Sequence, residues 1–247
     1  MKRQPASNPI DIVIPHTDSS EFQHNELRYT LRSIEKNLTG YRNIFIVGFL
    51  PKFITGVIHI PCTNLGKTKD HRILHKILFA INDPRVSNVF LYMSDDHYLL
   101  KKFTASKFPY YYDMSLKDAA MMPRQSSVYQ MTIQNTCDVY PDGKHYNVHS
   151  PVVYEKQLFK DAMEAGEWGK KGYLIKSMYC NYVGAKGLQM PDCKIREGMD
   201  YAKVIENKPF FSIGVNLNYH KLRRLMDELY PEPSCFEAEE KVYLQKR

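Results

Sequence analysis

Val89-Phe-Leu-Tyr-Met-Ser-Asp95-Asp96-His97 is an apolar, aromatic-rich segment that ends abruptly in two carboxylates and an imidazole. A continuous apolar run of this kind predicts a strand buried on both faces, as in the parallel sheet of an α/β protein. Acidic groups at the carboxyl end of such a strand lie where open α/β sheets bind their ligands. The segment therefore predicts a ligand site. A plain strand end followed by an acidic turn is the alternative.

The chemistry of the three polar residues indicates a metal ion. Two adjacent carboxylates repel each other unless a cation holds them, and hard oxygen ligands suit Mg²⁺ or Mn²⁺. We predict a metal site formed by Asp95 and Asp96, with His97 as a third ligand. Two other roles stay open for His97, which either faces the acceptor as a catalytic residue or is a structural histidine with satisfied hydrogen bonds.

Three apolar runs and two amphipathic segments precede this strand. The runs predict strands at residues 10–15, 43–48 and 57–61, and the amphipathic segments predict helices at 26–37 and 71–82. This order of elements is typical of a doubly wound, Rossmann-type nucleotide-binding half. We therefore predict an α/β fold in a single domain, with a mixed, mostly parallel sheet flanked by helices.

The second half of the chain carries a weaker pattern. Residues 101–146 show few clean periodicities, which predicts loops with short helices. The remaining segments predict strands at 146–154 and 210–215, and helices at 155–165, 174–183 and 221–229.

Composition restricts the setting and the partners. No run of eighteen apolar residues occurs in the 247-residue sequence, and the first residues lack the apolar segment of a signal peptide. Five cysteines without a Cys-x-x-Cys pair predict neither a disulfide framework nor a zinc site. We expect a cytoplasmic protein without a transmembrane segment. The formal charge of +7 favours acidic partners such as a sugar nucleotide, an acidic glycan, a membrane surface or DNA.

Several segments resemble known sugar-transferring enzymes. Ile10-Asp-Ile-Val-Ile-Pro15 resembles the first strand of nucleotide-sugar transferases of the GT-A fold. Other segments resemble conserved regions of the Stealth proteins, which are sugar-1-phosphate transferases of capsule synthesis and lysosomal-enzyme tagging. These segments are residues 25–36 with 41–47, Phe90–His97, Leu229–Glu237 and, less closely, Val148–Pro151.

This resemblance implies a GT-A-like fold and a metal-dependent glycosyltransferase, with Mn²⁺ or Mg²⁺ as the cofactor and a UDP-sugar as the expected donor. It also implies a division of the chain. We expect a flexible N-terminal lead at 1–9, a nucleotide-sugar-binding half at 10–100, an acceptor-side half at 101–237 and a tail at 238–247.

The sequence departs from the family pattern on two segments that would contact the donor. Ile14-Pro15-His16-Thr17-Asp18 stands where the family has an aromatic–Val–Asp/Asn–Gly sequence, and residues 66–72 are also unlike the family. These departures leave the transferred group open.

Donor-binding residues are predicted on both segments. Pro15 ends the first strand and His16, Thr17 and Asp18 follow it, where a uracil or another base and its ribose would bind. Asp95 is also predicted to bind the donor. Near the start of the second helix are Lys67, Lys69, Asp70 and Arg72, where cations and free backbone N–H groups suit a pyrophosphate. An exposed basic turn is the alternative there. Arg28 is predicted to point back towards the ligand.

His149 is the predicted general base, because the pKa of a histidine lies near neutral. The resemblance supports a histidine in this region, and Asp96 and His97 complete the predicted catalytic set. A structural histidine is the alternative, and Asp138, Asp142 and His145 compete for the role.

Three functions stay open. The first is transfer of a sugar to a hydroxyl of a surface glycan or of a hydroxymethylated DNA base. The second is Stealth-type transfer of a sugar 1-phosphate. The third is a sugar- or nucleic-acid-binding module without catalysis.

Overall fold

A parallel sheet at the centre of the chain positions the predicted site. The computed structural model describes residues 9–63, 65–66, 68–123 and 126–238. The strands are β1 Ile10–His16, β2 Leu38–Thr39, β3 Tyr41–Gly48, β4 Ile58–Ile60, β5 Val89–Tyr92, β6 Tyr98–Leu99, β7 Phe103–Thr104, β8 Tyr111–Tyr112, β9 Val152–Glu155, β10 Leu188–Gln189, β11 Lys194–Ile195 and β12 Phe210–Ile213.

Helices follow the strands in the order that the sequence predicts for the first half. They are α1 Asn25–Asn37, α2 Lys69–Asn82, α3 Leu116–Met121, α4 Ser127–Val139, α5 Lys156–Glu164, α6 Ile175–Tyr182, α7 Tyr201–Ile205 and α8 Tyr219–Leu229. The predicted lead and tail lie almost wholly outside the described residues.

The central sheet has the strand order β4-β3-β1-β5-β9. All its neighbouring pairs are parallel except β5 and β9, which are antiparallel. The chain moves outward from β1 through β3 to β4 and then returns to place β5 on the other side of β1. Ligands of open α/β sheets bind at the carboxyl ends of the strands where the order reverses in this way. The predicted α/β fold with a mixed, mostly parallel sheet is therefore confirmed.

Both faces of the sheet are buried, which explains the continuous apolar runs. Ile12 and Ile14 of β1 pack with α1 and α8, whereas Val13 packs on the opposite face with α2, α5 and α6. A strand covered on both sides needs apolar residues at successive positions rather than at alternate ones. The one charged residue within β1, Asp11, is fully buried and binds the Arg42 guanidinium at 2.6 Å and the Ser87 backbone N–H at 2.7 Å.

Two predictions for the second half are corrected by the structure. The predicted strand at 146–154 is only Val152–Glu155, and His149 lies before it with a φ of 48°. The region predicted as loops with short helices contains α4, which is 13 residues long. Its buried positions include Thr132 and Thr136. Because polar residues occupy part of the buried face, the sequence shows no apolar stripe at helical spacing.

The segment Leu229–Glu237, here called the C-terminal motif, packs against α1. Glu237 accepts two hydrogen bonds of 2.7 Å from the Arg32 guanidinium, and the Tyr230 hydroxyl donates to the Leu99 carbonyl at 2.9 Å. Planar paired bonds of this kind define the orientation of both partners. The motif therefore holds α1 in place beside the sheet. None of the helices in the described part of the chain is long and apolar enough to cross a membrane.

Candidate functional site

A cleft of about 830 Å³ opens at the carboxyl ends of β1 and β5. It is closed on the other side by β11, the end of β12 and the start of α8. Its lining includes many of the predicted residues together with new ones: Pro15, His16, Thr17, Asp18, Ser20, Glu26, Lys69, Arg72, Lys76, Tyr92, Ser94, Asp95, Asp96, Lys194 and Tyr219. A second pocket, of about 650 Å³, lies between α2 and α5 around Trp168 and contains none of the predicted residues.

The end of β1 is tied to the acidic strand by a histidine. His16 is buried and its Nδ1 lies 2.5 Å from Asp95 Oδ2. Its other ring nitrogen, Nε2, lies 3.0 Å from His24 Nδ1. The pKa of His24 lies below its ordinary value, chiefly because the ring is buried and secondly because His16 is nearby. The last residue of β1, His16, thus connects Asp95 to His24, the residue before α1.

Asp95 and Asp96 make different contacts although they are adjacent. Asp95 faces His16, whereas Asp96 accepts a hydrogen bond of 3.1 Å from the Ser212 hydroxyl and lies 4.0 Å from Lys194 Nζ. The pairing of Lys194 with Ser212 in strands β11 and β12 brings both to the same carboxylate. Burial would raise the pKa of Asp96, but Lys194 and the other nearby cations hold it below its ordinary value. Asp96 is therefore ionised at neutral pH.

His97 is placed differently from the other two predicted metal ligands. It is 1% exposed, it does not line the cleft, and its Nδ1 accepts the Ser94 backbone N–H at 3.1 Å. Burial and the charge of Lys176 move its pKa well below the ordinary value, so the ring is neutral. In the described part of the chain, Nε2 has no hydrogen-bond partner. The metal role of His97 remains a prediction.

Two lysines add positive charge behind the carboxylates. Lys176 on α6 is buried and donates to the Ser150 carbonyl at 2.9 Å. Burial lowers its pKa to about 8, although Asp96 and Asp192 act against this change. Burial also lowers the pKa of Lys194, opposed chiefly by Asp96. The acidic strand therefore ends in a region where cations balance the buried negative charge.

The predicted general base has an orienting partner. His149 Nδ1 lies 2.9 Å from Asp192 Oδ1, and the other Asp192 oxygen accepts a 2.7 Å bond from the Arg196 guanidinium. Burial is the main cause of a lowered His149 pKa, and the bond to Asp192 opposes it. Asp96 and His149 are close enough for the histidine to lower the pKa of Asp96. A histidine oriented by a carboxylate in this way can accept a proton at Nε2.

The predicted phosphate-binding residues fall partly on the cleft. Lys69 and Arg72 line it, and Asp70 is part-buried beside them with a pKa raised by burial. Lys67 lies outside the described residues. α2 begins behind a Thr68 N-cap, whose hydroxyl accepts the His71 backbone N–H. The helix N-terminus therefore places cations at one side of the cleft.

Lys76 forms the floor of the cleft. Its side chain is 4% exposed and its ammonium donates to the His16 carbonyl. Gly48 permits this contact, since a Cβ there would lie 2.3 Å from the His16 carbonyl oxygen and 3.0 Å from the lysine. Gly48 also has a φ of 112°, which favours glycine.

Arg28 lies away from the cleft lining. Its Nε is 3.6 Å from a Glu237 carboxylate oxygen, and its guanidinium lies over the Phe53 ring at 4.4 Å. These contacts place it with the C-terminal motif rather than with a ligand, contrary to the predicted direction.

Several site residues gave no clear signal in the sequence. His24 and Glu26 are separated from His16 by a polar loop, and Lys176 lies in an ordinary amphipathic helix. Asp192 and Lys194 belong to a segment whose charges are typical of a solvated surface. They reach the site only because β11 pairs with β12 beside the acidic strand. β12 in turn pairs with β6, more than a hundred residues earlier, and such a long-range pairing leaves no local pattern.

Comparison with solved structures identifies the fold. The structure of a galactosyltransferase, LgtC, in complex with donor and acceptor sugar analogs aligns with 91% of this chain and 96% of its own. The two chains share 10% identical residues and superpose with a TM-score of 0.51. The chain has the fold of that galactosyltransferase.

The expected GT-A-like arrangement is thereby confirmed at the level of the fold. GlyE, a glycosyltransferase of Streptococcus pneumoniae TIGR4, aligns with 91% of this chain and 61% of its own at 13% identity and a TM-score of 0.44, too slight a likeness to carry an argument. No protein-family model and no curated protein sequence matches the chain. The resemblance to the Stealth proteins stays a prediction.

Proposed function

We propose that this protein is a glycosyltransferase that binds a nucleotide-sugar diphosphate in the cleft and transfers the sugar to a hydroxyl acceptor. One arrangement carries the proposal. At the point where the strand order reverses, an ionised Asp96 lies beside Lys194, and the His149–Asp192 pair is close to both. The galactosyltransferase fold supports the same assignment.

The donor is proposed to lie along the cleft from β1 to β11. The base and ribose would contact Pro15, His16, Thr17 and Asp18, which line the end next to β1. The diphosphate would lie among Lys69, Arg72 and Lys194. Fixed cations stabilise the negative charge that develops on a leaving diphosphate more than they stabilise the bound donor, so they accelerate the reaction.

The acceptor hydroxyl is proposed to lose its proton to His149. The bond from Nδ1 to Asp192 leaves Nε2 as the basic nitrogen and stabilises the ring once it is protonated. The lowered pKa of His149 keeps this nitrogen free of a proton at neutral pH.

A divalent ion, Mn²⁺ or Mg²⁺, is proposed as the cofactor. Both Asp95 and Asp96 line the cleft, and in the described residues one oxygen of each carboxylate has no hydrogen-bond partner. Magnesium is commonly bound through one or two carboxylates plus substrate phosphates, so this pair fits. When bound, the ion would add Lewis-acid charge at the diphosphate.

A UDP-sugar is the proposed donor, and the acceptor is proposed to be a glycan hydroxyl or a hydroxymethylated DNA base. The formal charge of +7 would attract both an acidic glycan and DNA. A DNA acceptor would bind with a strong dependence on salt, since its phosphates release counterions.

The nucleotide released from the donor distinguishes the candidate reactions. Glycosyl transfer breaks the bond to the anomeric carbon and releases a nucleoside diphosphate, whereas sugar-1-phosphate transfer breaks the diphosphate and releases a nucleoside monophosphate. We expect slow release of UDP when the protein is incubated with UDP-sugars and Mn²⁺, with water as the acceptor, and loss of this release in Asp96→Asn. UMP would instead indicate Stealth-type chemistry, and intact donor throughout would favour a binding module.

A further inference from the structure

We propose that His16, His24 and Glu26 form a site for a transition-metal ion of the Zn²⁺ class, separate from the carboxylate pair proposed for Mg²⁺ or Mn²⁺. One ligand atom from each of the three side chains lies within 4.8 Å of the other two. Among the described residues, this is the group of three His, Cys, Asp or Glu side chains that meets this distance. Ligands bound at about 2.0–2.2 Å to one ion are about 3–4 Å apart. The two histidine nitrogens are 3.0 Å apart, and the limit of 4.8 Å for the whole cluster is close to this spacing.

The hydrogen bonds around His16 orient a ring nitrogen towards the cluster. Asp95 accepts the Nδ1–H of His16 at 2.5 Å, which leaves the Nε2 lone pair directed at His24 Nδ1, 3.0 Å away. A carboxylate that holds one ring nitrogen while the other binds metal is the usual arrangement around metal-ligating histidines. Phe49 packs against the rings of both histidines, with centroid distances of 6.3 and 4.9 Å, and so restrains them.

Glu26 supplies an independent observation. Its Oε2 is buried and has no hydrogen-bond partner among the described residues, although Ser20 hydrogen-bonds the carboxylate. A buried carboxylate oxygen without a partner is unfavourable, since it has lost its water. A cation bound between the two histidines and this oxygen would satisfy it.

The composition of the cluster selects the class of metal. Two imidazole nitrogens and one carboxylate suit zinc and related ions, and a set of three protein ligands leaves a fourth position open. His16 and Glu26 both line the cleft, so the open position would face the space proposed for the donor. The inference concerns metal binding itself and does not depend on the proposed transferase activity.

Direct binding tests the site. The tag-free, metal-stripped full chain is titrated with ZnCl₂ by calorimetry, with excess Mg²⁺ present to occupy the Asp95–Asp96 pair, and CoCl₂ is followed by visible absorption. We expect one equivalent of Zn²⁺, a cobalt spectrum of four- or five-coordinate intensity, and a loss of affinity of at least about 100-fold in His24→Ala and in the nearly isosteric Glu26→Gln.

The matched control is His220→Ala, because His220 is an exposed histidine of α8. It should bind Zn²⁺ like the wild type, and circular dichroism establishes that each variant is folded. Absence of saturable Zn²⁺ binding, or equal affinity in wild type, His24→Ala and Glu26→Gln, would overturn the proposal and leave the pair of histidines as a plain hydrogen bond.

Discussion

His149→Asn is expected to lower kcat by about 10²–10⁴, the usual contribution of a general base, while donor affinity stays within a factor of about three. His149 contacts Asp192 and lies outside the lining of the donor cleft, so its loss removes proton transfer and leaves donor binding. Asparagine is chosen because His149 has a φ of 48°, a conformation that asparagine tolerates better than most residues. Steady-state kinetics and donor calorimetry on the same preparations measure both effects.

The pH profile tests the same assignment. A base must be unprotonated, so activity should rise with pH through the lowered pKa of His149, and the acid limb should fall below 6.5. Asp192 raises that pKa, so Asp192→Asn should move the acid limb to still lower pH and also reduce kcat. A shift of the limb to higher pH would contradict this assignment.

The control is His145→Asn. His145 forms a comparable pair with Asp113, with 2.7 Å between Nδ1 and Oδ1, but it is buried beside α4, where its Nε2 lies 3.4 Å from the Tyr129 hydroxyl. Its loss should lower the thermal midpoint without changing the acid limb. Equal losses of kcat in folded His145→Asn and His149→Asn would show that His149 acts only through structure.

Lys194→Met should lower kcat/KM by about 10²–10³, in the range found when one charge-stabilising donor is removed from a transition state. Lys194 lies 4.0 Å from Asp96 and faces the cleft, where the diphosphate is proposed to leave. Methionine keeps most of the side-chain volume, so the change is mainly in charge. Removing this cation should also raise the pKa of Asp96, whose carboxylate it helps to keep ionised.

The loss should be larger for turnover than for binding, because the charge on the diphosphate grows as the bond to the sugar breaks. Lys203→Met on α7, where the lysine is exposed, is the matched control and should behave like the wild type. An unchanged kcat/KM in Lys194→Met would show that the lysine does not stabilise the leaving diphosphate. The metal ion would then be the group that stabilises this charge.

Local pattern was sufficient for the half of the fold that contains the acidic strand. Apolar runs predict the strands β1, β3 and β5, because helices cover both faces of the sheet. Amphipathic spacing predicts α1 and α2, because each packs on the sheet with one apolar face. The sequence pattern does not predict a helix as long as α4, since threonines occupy buried positions on its packed face. The residues of the site show the same division. The ends of β1 and β5 could be predicted, whereas β11 reaches the site through β12, which pairs with the distant strand β6.

The adjacent carboxylates illustrate what sequence order does not reveal. Asp95 and Asp96 read as one acidic pair, yet the first is held by a histidine of β1 and the second by a serine and a lysine from β12 and β11. Which partner each carboxylate meets depends on the three-dimensional arrangement of the strands around it. The same is true of Arg28, whose partner Glu237 is more than two hundred residues away in sequence.

Binding of a nucleotide sugar to the cleft is the central claim, and a thermal-shift panel of nucleotide sugars, each with and without Mn²⁺, tests it most directly. A ligand that binds only the folded state at a hundred times its Kd stabilises that state by about 2.7 kcal/mol, enough for a clear rise in the midpoint. We predict a rise with a UDP-sugar that is larger with Mn²⁺ and is lost in Asp96→Asn. No rise with any nucleotide sugar, with metal present, would contradict the assignment of this cleft as a donor site.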